Sequence, residues 1–180
     1  MEDAKDMKTP MHPTTCLGLD EKSNKVDNSQ YKAMIGSLLY LIASRPNILF
    51  GVGLCARFEQ DPREVHLTSL KRIFRYLNGT PNLGLYFKYS KEFRLISYCD
   101  ADYACEKIER RSTSERYHII GGNLVTWINQ KQGLVTLFTA KAEYISVASC
   151  CTQLIWIKNQ LEDYSIYGKK SLSTVIINLP

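Results

Sequence analysis

The stretch Phe93-Arg-Leu-Ile-Ser-Tyr-Cys-Asp-Ala-Asp-Tyr103 decides how the rest of the chain is read. Phe93 to Tyr98 has the aromatic and β-branched content of a core strand, and the run ends in two acids, Asp100 and Asp102. Side chains alternate along a strand, so both carboxylates fall on one side if the extended geometry continues. A carboxylate at the end of a core strand is costly unless it is solvated, paired or bound to a metal. Asp-x-Asp is also an ordinary turn signal, so the spacing alone leaves both readings open.

Working outward from that strand, Leu83 to Tyr89 predicts a preceding strand across the polar turn Ser90-Lys91. A polar, basic loop is expected from Ala104 to Arg116. Tyr117 to Ile120 and Leu124 to Ile128 then form a hairpin, with Gly121-Gly122 supplying the positive φ of its turn. After the apolar run Leu134 to Phe138, a long helix is expected from a Thr139 cap to about Tyr164. Its core side would carry Tyr144, Val147, Ala148, Cys151, Leu154, Ile155 and Leu161. A last strand spans Ser173 to Leu179. Strands, a long helix and a strand predict an α/β fold, a mixed sheet with a packed helix.

Upstream the period is helical. Residues 1–26 are rich in Met, Pro, Thr, Lys and Asp and read as an extended, poorly ordered lead-in. Residues 27–80 form an all-helical segment, and residues 81–180 the α/β domain. The first helix runs from Ser29 to Ser44 with Met34, Leu38 and Leu41 in one stripe, and the second opens at Pro46 and reaches Phe58. The third is marked by Asp61 as cap, Pro62 in the first position and Glu64 three residues after the cap. Leu67, Leu70, Phe74 and Leu77 make its apolar face, and Asn78-Gly79 its end. Arg45-Pro46-Asn47 splits two apolar runs, each shorter than the ~20 residues that span a bilayer. No membrane partner is expected.

Hydrophobic residues make up 44% and charged residues 23%, which argues against disorder as the default. The net charge of +5 is a mild basic excess, compatible with a polyanionic partner. Six cysteines form no C-x-x-C pair and there are three histidines, so zinc-ligand spacing is absent. With no secretory leader in the lead-in, free thiols in a reducing compartment are expected, hence an intracellular, cytoplasmic or nuclear protein rather than a secreted one.

Glu143 falls in the first turn expected for the long helix, where the helix dipole alone favours an acid. Paired with Asp100 it gains a second meaning. Hydrolysis of a phosphodiester by two metal ions requires carboxylates converging from separate elements on ions ~3.5–4 Å apart. The basic residues Lys107, Arg110, Arg111 and Arg116 stand beside three hydroxyls and can position phosphates, although an ordinary surface loop has the same composition. Lys71, Arg72 and Arg75 read first as a solvated helix face.

YKAMIGSLLYLIASRPNI (31–48), ARFEQDPREVHLTSLKRIFRYLNGT (56–80), LGLYF (83–87), YCDADYA (98–104), RRSTS (110–114), GGNLVTW (121–127) and TAKAEYISVASC (139–150) follow one another in the chain. In that order they resemble the Pol polyproteins of copia-type retrotransposons, with the helical block similar to the tail of the reverse transcriptase and the remainder to RNase H. The resemblance covers nearly all of residues 1–164. It implies an RNase H-like mixed sheet, cleavage of RNA in RNA–DNA hybrids, and Mg²⁺ or Mn²⁺ held by clustered carboxylates. It makes Asp100 and Glu143 the catalytic, metal-holding acids. It also implies a nucleic-acid partner gripped through phosphates, and the remainder of the reverse transcriptase as partner in the polyprotein.

This sequence departs from the family pattern. Cys105 and Glu115 stand where glycines are expected, Phe138 where serine precedes Thr139, and Lys141 in place of the first Glu of the Ala-Glu-Ala-Glu string. Aligning the family's third acidic strand with Ser171 to Leu179 puts Leu172 at the catalytic Asp, a degenerate position. The Tyr-x-Asp-Asp strand of the polymerase does not occur, so these residues are not expected to polymerise. An inactive descendant of a hybrid ribonuclease is the expectation; the alternative is a non-catalytic nucleic-acid-binding or functionless remnant.

Overall fold

The structure, a computed structural model, describes residues 5–12, 17–19, 22–91, 93–103, 110–166 and 174–177. It divides into two compact units, Met1–Leu85 with Glu106–Ile108, and Tyr86–Cys105 with Glu109–Pro180.

In the first unit α1 spans Asn28–Ile42, and its first turn is closed by the Asp27 carboxylate, which accepts from the Ser29 N–H at 2.9 Å. Tyr31, Ile35 and Leu38 form its buried line, one residue round from the expected Met34 stripe. The Tyr31 hydroxyl supplies the reason, because it donates to the buried Cys55 carbonyl at 2.9 Å and pins that face inward. A 3-10 turn over Pro46–Ile48 leads into α2, Leu49–Ala56. Helix α3 spans Glu64–Asn78 and begins two residues later than expected. Asp61 does not cap it; the carboxylate pairs instead with Arg63 at 2.7 Å and Lys25 at 3.2 Å. Arg63 is extended and its N–H donates to His66 Nδ1 at 3.0 Å, while His66 Nε2 lies 2.9 Å from the Gly18 carbonyl. The buried line of α3 is His66, Leu70, Ile73 and Tyr76, with Leu67, Phe74 and Leu77 half-buried beside it.

The lead-in carries no helix among its described residues, yet it is held against the helical block. Met11 and Leu17 are buried in the core, Arg72 donates to both oxygens of Thr9, and Asn78 donates to Asp6. Arg72 is therefore engaged by the chain itself, while Lys71 stays exposed.

The second unit is a four-stranded sheet in the order β3-β2-β1-β4. β1 is Leu95–Asp102, β2 Thr113–Ile120, β3 Asn123–Lys131 and β4 Thr174–Ile177. β1, β2 and β3 are antiparallel neighbours, and β4 runs parallel to β1. Gly121 (φ 57°) and Gly122 (φ 83°) make the hairpin turn, a backbone that side-chain-bearing residues rarely adopt. Residues 83–89 are not a strand. Lys88 lies beside the start of β3, but its N–H and carbonyl are both taken by the Asn123 side-chain amide, at 2.7 and 2.8 Å, in place of a backbone ladder.

Helix α4, Thr139–Asp163, packs on β1 and β2. Its cap residue is the extended Phe138, without a side-chain hydrogen bond, not Thr139, so Glu143 opens the second turn rather than lying in the first. The buried line is Ala142, Ser146, Cys150, Leu154 and Ile157; the expected Tyr144 and Ile155 are 76% and 56% exposed. Small residues face the sheet because the helix sits close to it. The Ser146 hydroxyl donates to the Asp100 carbonyl at 2.8 Å and the Cys150 thiol to the Tyr98 carbonyl at 3.9 Å. Leu95, Leu154 and Ile157 form the apolar centre, with Ile120 and Leu161 packed against it.

Candidate acidic site at the end of the central strand

Among the described residues the β4 register runs from Ile96–Thr174 to Cys99–Ile177. Two residues further along β1 the Ala101 N–H serves a side chain. It donates to Asp100 Oδ1 at 2.9 Å. Two carboxylates, one near a strand end and one from a helix, thus lie near enough for the charge of Asp100 to act on Glu143. The helix is fixed around Glu143 on both sides. Gln132 Nε2 donates to the Ala142 carbonyl at 2.9 Å and to Ser114 Oγ at 2.8 Å, and Ser146 ties to β1 as described.

Burial raises the Glu143 carboxyl above the ordinary range, and the negative charge of Asp100 raises it further, against the pull of the Ala101 N–H. Its Oε2 is buried without a hydrogen-bond partner. Glu115 stands directly across the ladder from Asp100. Burial raises Glu115 first, its hydrogen bond from Asn129 at 2.6 Å opposes this, and Asp100 and Asp102 add to the rise. Asp100 and Asp102 are exposed, as strand alternation predicts for one face. Among the described residues none of these four acids forms an ion pair.

The chemistry of the donors suits a hard divalent cation, since an orphaned carboxylate oxygen lies beside an exposed carboxylate. Yet among the described residues no three His, Cys, Asp or Glu side chains converge as a metal cradle. These donors fall short of the set that two metal ions need.

The basic residues do not act as one loop. Arg110 is exposed and adopts φ 51°, Arg111 is half-buried, and Arg116 belongs to β2. Thr113 to Arg116 were expected in the loop but are strand, paired with both β1 and β3. Arg116 Nη1 donates to Ser149 Oγ of α4 at 2.5 Å. Lys107 and Leu172 lie outside the described residues.

Sequence reading missed Glu115 as a member of the acidic group, and Asn129 as its partner. Only the antiparallel register brings them together, and no local spacing encodes it. It also missed the pair Ser97–His118, in which Ser97 Oγ and His118 Nδ1 lie 2.5 Å apart on facing strands. Both residues are fully buried, so the pair is part of the core.

Over 163 residues, 91% of its length, the chain is 37% identical to the retrovirus-related Pol polyprotein from transposon RE1 of Arabidopsis thaliana. It is 33% identical over 181 residues to the Pol polyprotein from transposon TNT 1-94 of Nicotiana tabacum, a match covering 94% of the chain. It spans 11% and 13% of the length of those two relatives. A third relative, the secreted RxLR effector protein 161 of Plasmopara viticola, is 34% identical over 131 residues, 72% of this chain and 92% of that protein. No family model and no solved structure matches.

Proposed function

This chain belongs to the Pol polyproteins of copia-type retrotransposons, and from that premise we propose that residues 81–180 are an RNase H-like domain descended from a ribonuclease for RNA–DNA hybrids. One observation carries the reading. Asp100 near the end of the central strand and Glu143 on the helix packed across it lie near enough for the charge of Asp100 to raise the Glu143 carboxyl, within a sheet of order β3-β2-β1-β4. Two carboxylates from separate elements, one of them with an unpartnered oxygen, are the beginning of a phosphodiester-cleaving site.

The site is an inactive descendant on this reading. The resemblance puts Leu172 where the third acid belongs, and Lys141 adds a cation to the first turn of α4, where the dipole disfavours it. What remains is phosphate binding through Arg110, Arg111 and Lys107, driven by charge and indifferent to base sequence. The helical unit supports a place in a larger assembly, because α1 leaves Leu39 and Tyr40 50% and 84% exposed. The rest of the reverse transcriptase is the partner we assign to that face.

The test is incubation of the chain with a labelled RNA–DNA hybrid and Mg²⁺ or Mn²⁺, with Asp100→Asn alongside. No cleavage above the variant is expected, together with weak binding that falls steeply with salt. Robust cleavage that Asp100→Asn abolishes would refute the inactive reading. Salt-independent binding would remove the electrostatic one.

A further inference from the structure

Arg116 occupies an uneasy place for a cation. It is half-buried between β2 and α4, its Nη1 donates to the Ser149 hydroxyl, and its Nε is buried without a partner. Among the described residues no carboxylate pairs with it. Arginine keeps its proton, so a guanidinium taken partly out of water costs stability unless an anion offsets it. Its charge reaches inward unbalanced: after burial, it is what depresses His118.

Arg116 also lines a cavity of about 160 Å³ between the hairpin and α4. The other groups on its wall that bear on the argument are Lys131 of β3, Ser114 of β2, Gln132 and Ser149. Two of the eight lining residues are cationic, none is acidic, and two hydroxyls and two side-chain amides complete the polar wall. Gln132 is locked by its two donations, to Ser114 and to the Ala142 carbonyl, so this wall is fixed rather than adaptable. A rigid, roomy, cationic and hydroxyl-lined recess suits a tetrahedral oxyanion better than an apolar or cationic ligand. Ser149 lies six residues beyond Glu143 on the same helix, ~9 Å along its axis at 1.5 Å per residue. The recess is thus separate from the acids, yet close enough for one extended ligand to meet both.

We propose that this cavity binds a phosphate group, with Arg116 and Lys131 supplying charge and the Ser114 and Ser149 hydroxyls supplying hydrogen bonds, and that the group is a backbone phosphate of a bound nucleic-acid strand. The source of the phosphate rests on the nucleic-acid reading above; the site itself does not.

The experiment titrates inorganic phosphate into the full ¹⁵N-labelled chain and follows its amide resonances against sodium chloride at equal ionic strength. Saturable shifts confined to the neighbourhood of Arg116, Lys131 and Ser149 are expected. Arg116→Met should abolish them, and Lys131→Gln should weaken binding about tenfold, the loss of one charge-assisted contact. Arg116 is half-buried and its replacement risks the fold, so the decisive comparison is Lys131→Gln, on a half-exposed side chain. Shifts that do not saturate, that chloride reproduces, or that Lys131→Gln leaves unchanged would overturn the site. A second arm measures whether saturating phosphate displaces a labelled RNA–DNA hybrid. Displacement supports the strand as source. Saturable phosphate binding without displacement overturns the strand and assigns the site to free phosphate or a mononucleotide. A hybrid that fails to bind at all, beside intact phosphate shifts, overturns the nucleic-acid reading and leaves the phosphate site standing.

Discussion

Asp100 acts on its neighbours chiefly through its charge. Burial is the larger cause of the raised carboxyls of Glu143 and Glu115, and Asp100 adds to both. Asp100→Asn is therefore expected to lower both titration midpoints without returning them to ordinary values, read by NMR of the carboxyl carbons. Unchanged midpoints would show that the carboxylates do not share a field. A carboxyl raised in the folded state binds its proton more readily there than in the unfolded chain, so these two glutamates favour folding as pH falls and oppose it as pH rises. Asp100→Asn should accordingly stabilise the fold near pH 7, with the gain shrinking in acid as the glutamates protonate. His118 works in the other direction. Burial, then the charge of Arg116, depresses it, so the neutral ring is favoured in the core. Its contribution is complete above the unfolded value near 6.5 and is lost as pH falls toward the lower folded value. The thermal midpoint of the parent chain should thus decline, relative to His118→Gln, between about pH 7 and pH 5. Parallel curves for the two proteins would exclude His118 as the titrating group.

At the scale of elements, the first turn of α4 is the weakest piece of local design. Phe138 caps it with no side-chain acceptor and is 68% exposed, and Lys141 places a cation among the free N–H groups. Phe138→Ser is expected to stabilise the chain by about 1 kcal/mol, and Lys141→Glu by a further ~0.3–1 kcal/mol, both measurable by denaturant unfolding. No gain from either would mean that the helix start is set by packing alone. Asn123 makes a comparable local prediction. Asn123→Ala removes both partners of Lys88, so the Lys88 amide should lose its protection from hydrogen exchange while the β2–β3 hairpin keeps its own. The same elements show what sequence can and cannot reveal. The strand carrying Asp100, the Gly121-Gly122 turn and the long helix were all legible, because each is written in consecutive residues. The face of α4 was not. Its large apolar side chains Tyr144 and Ile155 invite an inward reading, whereas close approach to β1 selects Ser146 and Cys150. The strand expected over Leu83 to Tyr89 failed for a related reason, since a side-chain amide took the hydrogen bonds that a partner strand would have used. Within the candidate site, Asp100 and Glu143 were singled out from the motifs that carry them, and the structure sets them on β1 and α4. Glu115 and the Arg116–Ser149 contact were not, because they exist only once strands and helix are in register.

Taken whole, the molecule has two cores of unequal depth. The helical unit buries Tyr31, Ile35, Leu38, Ile48, Val52, Leu70 and Ile73 completely. Among the described residues the sheet unit buries Leu95, Leu154 and Ile157, with hydroxyls, thiols and the Ser97–His118 pair beside them. Native-state hydrogen exchange should therefore find the amides of α1 and α3 better protected than those of β1 and α4; the reverse order would contradict this account of the cores. Leu70→Ala, which empties a fully buried position, should cost ~2–5 kcal/mol in denaturant unfolding of the helical unit. The sheet order has a further consequence, for how the molecule behaves in company. β3 is a terminal strand of nine residues, and beyond the Lys88–Asn123 contact its outer rim pairs with no strand among the described residues. Such a rim is a template on which another chain can crystallise its own backbone, and proteins ordinarily blunt it with charge, bulges or a covering segment. Here one asparagine fastens a single residue over the start of the rim, and Lys131 sets a charge at its far end. Colloidal stability at high concentration depends on those two modest guards, so the gel-forming or fibre-forming tendency of the chain is governed at a sheet border rather than at the acidic site.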